Sequence, residues 1–269
     1  MSEANFILAV AQCRSLVGEV ALNLEILERL CARAAGDGAD LILFPEGVIS
    51  GYSYEAMAAL VAKVAEPVGG PITAALSAMA RRHRLTICAG MFERDGEKIF
   101  NSHLVAYPDG CLDLQRKGVS ACREPGLVSV EPRRKRFEWK GVAFGILVCA
   151  DGALEDYPQQ YERLGIDVLL HPSAGYTPET GPAQDARLKE EAAGIWANAR
   201  EIARTLGVTY AVSNLVGYNG EHFYPGNSWI VHPDGEEMTV IAPTAIEDQM
   251  REEILYSALP RVRNATGSR

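Results

Sequence analysis

Apolar residues along the chain fall into two patterns. Unbroken runs such as Phe6–Cys13 (FILAVAQC), Leu41–Phe44 (LILF), Val142–Cys149 (VAFGILVC) and Val168–Leu170 end abruptly at polar, Gly or Pro positions. Runs of that length suit strands buried on both faces, as in parallel or mixed sheets. In Ala21–Ala35, Leu24, Leu27, Leu30 and Cys31 instead share one stripe, which predicts a helix laid on a sheet. Further helices are expected at Ile72–Arg82 and Arg187–Leu206. Pro108-Asp109-Gly110 and Pro233-Asp234-Gly235 predict tight turns, because Pro presets φ and Gly accepts a positive one.

The runs repeat in order. Phe6–Cys13 pairs with Val142–Cys149, and Gly38–Glu46 (GADLILFPE) with Gly165–Ser173 (GIDVLLHPS). His83–Phe92 then pairs with Leu206–Leu215, and Asn101–Gly110 (NSHLVAYPDG) with Asn227–Gly235 (NSWIVHPDG). Each half reads strand, helix, strand, helix, strand, hairpin. That alternation predicts an α/β fold with two similar sheets in one domain over residues 1–260, followed by a polar tail at 261–269. Strand ends are where α/β sheets collect ligands. Cys149 and Glu46 occupy such ends, and their counterparts are Cys13 and Ser173. Cys13 has no helper residues beside it and reads as a packed thiol.

With 269 residues, 48% of them hydrophobic, the chain can bury a large core. A formal charge of −9 argues against nucleic acid, which needs clustered Lys and Arg. The one basic run, Arg133–Arg136, lies between Glu131 and Glu138 and is expected to be solvated. The absence of a long apolar window and of a basic n-region predicts no membrane span or signal peptide, and a cytoplasmic protein. The six cysteines form no C-x-x-C pair, so neither disulfides nor a metal site is expected, and no cofactor is implied.

Three segments carry candidate chemistry: FPEGVISGY (Phe44–Tyr52), QRKGVSACRE (Gln115–Glu124) and VCADG (Val148–Gly152). Together, in that order, they resemble the nitrilase, or carbon–nitrogen hydrolase, superfamily, in its amidase-like branch. The resemblance covers nearly the whole chain and implies a four-layer α-β-β-α sandwich. It places Glu46 as general base, Lys117 as the stabiliser of the tetrahedral intermediate and Cys149 as nucleophile, with the N–H of Ala150 in the oxyanion hole. Glu124 matches a second glutamate that positions the lysine, and Tyr52 a tyrosine following the base. It also implies a homodimer or larger homo-oligomer.

These residue types suit the chemistry. A thiolate is the attacking species, and Asp151, two residues from Cys149, would hold it back. Lys117 is expected to supply the compensating positive charge and favour the thiolate, with Asp151 acting as a local cap turned away from sulfur. His171 and Ser173 end the strand beside the site and are candidate substrate contacts. His103 and His232 read as strand residues, and Trp196 and Asn198 as helix packing. The segment Leu154-Glu155-Asp156 departs from the Phe-Pro-Glu common in the family, which bears on the pocket wall. The expected substrate is a small carboxamide. N-carbamoyl (ureido) and nitrile substrates remain open, as does a non-catalytic interaction protein keeping the fold.

Overall fold

The computed structural model describes residues 5–154 and 156–260; the expected tail at 261–269 and Glu155 lie outside them. The strands are β1 (Phe6–Gln12), β2 (Leu41–Leu43), β3 (Thr86–Asp95), β4 (Lys98–Ala106), β5 (Leu112–Arg116), β6 (Phe137–Trp139) and β7 (Val142–Ile146). They continue as β8 (Val168–Ser173), β9 (Thr209–Asn214), β10 (Val216–Tyr218), β11 (Phe223–Pro225), β12 (Ser228–Val231), β13 (Met238–Ile241) and β14 (Glu253–Leu259). The α-helices are α1 (Val20–Gly36), α2 (Met57–Val64), α3 (Pro71–His83), α4 (Tyr157–Leu164) and α5 (Pro182–Leu206).

Two six-stranded sheets form, ordered β14-β1-β2-β3-β4-β5 and β6-β7-β8-β9-β12-β13. Their pairings match step for step. β1-β2-β3 and β7-β8-β9 are parallel, and the flanking pairs on both sides are antiparallel. The sequence repeat is therefore a structural one.

Alternation along β1 explains the layers. Phe6, Leu8 and Val10 join Phe144, Ile146, Val168 and Ile230 of the other sheet in a core between the sheets. Ala9 and Ala11 turn the other way, toward Leu27, Leu30 and Leu76 of α1 and α3. Their small side chains let the helices approach closely. On the far side, Leu169, Tyr210 and Trp229 pack against Tyr161 of α4 and Ala199 and Ala203 of α5. The order is helix, sheet, sheet, helix, and both faces of each sheet are covered, as unbroken apolar runs require.

The expected helices at 21–35, 72–82 and 187–206 form with modest extensions. The largest is at α5, which begins at Pro182 because a proline is favoured in the first turn, where its missing N–H costs nothing. The turn at Asn198 is exposed, so that residue does not pack as expected, whereas Trp196 donates from Nε1 to Asn227 Oδ1 at 2.9 Å. Cys13 is fully buried in the helix-side core, and burial raises its thiol well above the usual range. His103 lies in β4, fully buried, and His232 follows β12 at the turn.

Candidate active site

Glu46 follows β2 on a turn that sits against β3. The Gly90 position in β3 has to be glycine, because a Cβ there would overlap the backbone N of Gly47. Ile49 N–H donates to Gly90 O at 3.1 Å and completes the contact. Lys117 follows β5, the edge strand, and its N–H donates to the carbonyl of Asn101 on β4 at 2.9 Å. Cys149 opens a short 3-10 turn, Cys149–Ala153, with φ of 46°. This left-handed conformation is rare for a non-glycine residue and costs on the order of 1–3 kcal/mol. It lifts the cysteine out of the strand direction and leaves it half-buried at the end of the apolar run.

The charged groups form one connected cluster. Lys117 Nζ donates to Glu46 Oε1 at 2.8 Å and to Glu124 at 3.1 Å. Asn101 Nδ2 bridges the same two carboxylates, at 2.8 Å to Glu46 and 2.7 Å to Glu124. Glu124 also accepts from Ala121 N–H at 2.9 Å. All four residues are buried. Such burial is tolerable because the ions are paired and hydrogen-bonded, with both donors to Glu46 meeting its Oε1. Tyr52 is buried beside them, its ring centroid 5.9 Å from Lys117 Nζ, and the same surroundings push its phenol upward, burial first and then Glu46 and Glu124.

The sequence expectation about sulfur needs correction here. Burial pushes the Cys149 thiol up to about 12, Glu46 raises it further, and Lys117 only partly opposes them. The reason is the charge count of the cluster. One ammonium between two carboxylates carries no surplus positive charge, so Lys117 does not hold the resting sulfur as a thiolate. For Lys117 itself burial pulls downward, but Glu46 and Glu124 outweigh it and the net shift is upward. The ammonium stays charged throughout the neutral range.

Asp151 does more than cap its turn. Oδ1 accepts from Gly118 N–H at 2.7 Å and Val119 N–H at 2.9 Å, just past Lys117. Oδ2 accepts from Val148 N–H at 3.1 Å and from Arg134 Nη1 at 2.6 Å. The carboxylate thus clamps the lysine loop to the cysteine turn, and its charge is spent on those donors. Arg134 belongs to the basic run expected to be solvated. It is instead only 6% exposed, and also donates to Pro132 O and Glu131 O.

The remaining expected residues gather around the thiol. Ser173 Oγ lies 3.6 Å from Cys149 Sγ. His171 hydrogen-bonds through Nε2 to Cys149 O at 2.9 Å and through Nδ1 with Tyr210 OH at 2.7 Å. Both its nitrogens are thereby engaged by the protein, and burial lowers its pKa, so it braces the cysteine turn as a neutral ring. Ala150 is half-buried in the first turn of the 3-10 segment, where backbone N–H groups have no partner within the helix.

Sequence reasoning missed three residues. Asn101 was visible as the first residue of the repeated Asn-Ser strand, but nothing marked it as a carboxylate bridge. Tyr54, whose OH donates to Ala174 O at 2.6 Å, stands two residues beyond Tyr52. Arg134 had no sequence signal distinguishing it from its basic neighbours.

No group of three or more His, Cys, Asp or Glu among the described residues could hold a metal, and no helix among them is long and apolar enough to cross a membrane.

The carbon–nitrogen hydrolase profile matches residues 7–264. The chain belongs to the carbon–nitrogen hydrolase family. An (R)-stereoselective amidase of Pseudomonas sp is 30% identical over 153 residues, covering 57% of this chain and 54% of that one. The alignment therefore spans about half of each protein. A nitrilase of Pyrococcus abyssi is 26% identical over 251 residues, 92% of this chain and 89% of its own. A carbon–nitrogen hydrolase superfamily protein from Xanthomonas campestris, solved with an arsenic adduct in its active site, superposes with a TM-score of 0.78 at 22% identity. That superposition covers 96% of this chain and 91% of the other, and at this identity it speaks for the fold.

Proposed function

We propose that this carbon–nitrogen hydrolase is an amidase that converts a small carboxamide to a carboxylic acid and ammonia through a thioester on Cys149. The observation that carries the reading is the buried, hydrogen-bonded Glu46–Lys117–Glu124–Asn101 cluster beside a half-buried cysteine in a strained left-handed turn. A structural ion cluster would not need a thiol held out of its strand.

Because the thiol is protonated at rest, its proton leaves as it attacks. Sulfur bonds to the amide carbon while Glu46 takes the S–H proton, and the carbonyl oxygen becomes an oxyanion. Lys117 Nζ and the N–H of Ala150 receive that charge. The intermediate collapses, and the C–N bond breaks as Glu46 returns the proton to the leaving ammonia. Water then adds to the thioester with Glu46 as base; the C–S bond breaks, the thiol regains its proton and the acid departs. Glu124 and Asn101 hold Lys117 and Glu46 in register. Losing one oxyanion donor typically costs about 3–4 kcal/mol, which sets the scale for Lys117.

The Ala-Asp pair after the cysteine supports amides over nitriles and ureido compounds, and among the relatives an amidase stands beside a nitrilase. Ammonia release over a panel of primary amides, nitriles and N-carbamoyl compounds tests this, with Cys149→Ala as control. Ammonia from amides, lost in C149A, is expected. Ammonia accompanied by carbon dioxide from N-carbamoyl compounds alone would replace the amide reading, and no product from any of them would remove the enzymatic one.

A further inference from the structure

A cavity of about 410 Å³ opens between the second sheet and α5 and reaches Cys149. Ser173, 3.6 Å from the sulfur, stands on its wall with Trp229, Tyr210 and Ile202, whereas Glu46 and Lys117 do not line it. Ile195, half exposed on α5, stands at its mouth. Its volume lies within the range of small-molecule sites.

The chemistry of the wall is one-sided. None of the described residues lining it is Asp, Glu, Lys or Arg. Its deepest polar groups are already engaged by the protein. Both His171 nitrogens are bound, and Tyr210 OH is held by His171. Asn214 accepts from Gly175 N–H and Leu215 N–H and donates to Gly226 O, and Asn227 accepts from Trp196. What this leaves for a ligand is mainly aromatic and aliphatic surface, with uncharged polar groups from Ser173, Tyr157 and the exposed Asn198 and no formal charge.

We propose that this cavity holds the acyl chain of the substrate, so that the enzyme acts on uncharged primary carboxamides with an apolar chain and rejects those whose chain ends in a carboxylate. The inference rests on the amidase reading above and names the substrate class of that site. With the amide carbon at Sγ, the leaving nitrogen faces Glu46, the oxygen faces Lys117 and the chain enters the cavity. An apolar chain gains there by leaving water, whereas a terminal carboxylate would lose its hydration and meet no cation.

The test uses the full chain with propanamide, butanamide, hexanamide and adipamate, the last being hexanamide with a terminal carboxylate. From propanamide to hexanamide, kcat/KM for ammonia release is expected to rise about fourfold per methylene, the factor for burying one such group. Adipamate should fall by about a hundredfold or more below hexanamide, because burying a carboxylate without a partner costs more than burying a neutral polar group. Ile195→Trp, at an exposed position that folding tolerates, should remove the chain-length dependence, and Ile195→Arg should narrow the gap between adipamate and hexanamide. A second readout needs no turnover: hexanamide should slow iodoacetamide alkylation of Cys149 in the wild type and not in I195W.

Adipamate equal to or better than hexanamide, or a flat chain-length series, overturns the inference while leaving the amidase reading intact. Protection of Cys149 without ammonia from any amide does the reverse. If a second copy of the chain covers this face, I195W alters the sedimentation coefficient and hexanamide gives no protection; that result also overturns it.

Discussion

Arg134 and Asp151 form a buried ion pair, Nη1 to Oδ2 at 2.6 Å, and the same carboxylate binds the two N–H groups that follow Lys117. Two segments remote in sequence, each delivering one reactive side chain, are thus fastened through a single acid. Arg134→Met strands that acid in the interior and is expected to cost about 3–5 kcal/mol of stability. Urea unfolding measures it. Because the residues share one network, R134M/D151N should lose less than the sum of the single variants.

The Glu46 charge has opposite effects on sulfur at rest and in turnover. It helps to raise the Cys149 thiol toward about 12 and occupies Lys117. Glu46→Gln removes the negative charge and releases the ammonium, so the thiol pKa falls. Iodoacetamide alkylation of Cys149 at pH 8 should therefore speed up in E46Q while amide turnover falls by about a hundredfold or more, a hundredfold being the lower end of the range for a lost general base. In the wild type the alkylation rate should climb roughly tenfold per pH unit from 7 to 10 without levelling, whereas a peptide thiol levels off above its pKa of about 8.5.

Asn101 keeps two carboxylates beside one ammonium. Asn101→Leu removes a donor from both, and each lost hydrogen bond to a charged group is worth roughly 1.5–3 kcal/mol. Both stability and kcat should drop, with KM for the amide less affected, because Asn101 orients Glu46 and Lys117 rather than the acyl chain. Steady-state kinetics on the folded fraction separates the two parameters.

Gly90 sets how closely the Glu46 turn lies on β3. Gly90→Ala forces the Gly47 peptide to move, and a displacement of about 1 Å at a reacting group can cost on the order of a hundredfold in rate. A large fall in kcat with a small fall in melting temperature is expected.

Much of this was legible in the chain itself. The paired apolar runs gave both sheets and their matching order, since strands buried on two faces leave an unbroken signature. Glu46, Lys117 and Cys149 stood out as reactive types at strand ends. The charge state of the sulfur did not, because it depends on how many carboxylates share Lys117, and that count exists only once Glu124 folds back onto it. Arg134 was misread for a related reason. Its burial depends on Asp151, seventeen positions away, and a basic run carries no mark of which member turns inward. The cavity beside α5 was invisible because Ile195 and Trp229 come to line one space only in three dimensions.

The central claim is that Cys149 becomes acylated during turnover. Acid-quenched intact-protein mass spectrometry during steady-state hydrolysis of a primary amide, followed by peptide mapping, measures this directly. The predicted result is a species heavier by the mass of the amide less ammonia, mapped to the Cys149 peptide and absent in C149A. Undiminished ammonia release by C149A, or an adduct on a different residue, would contradict it.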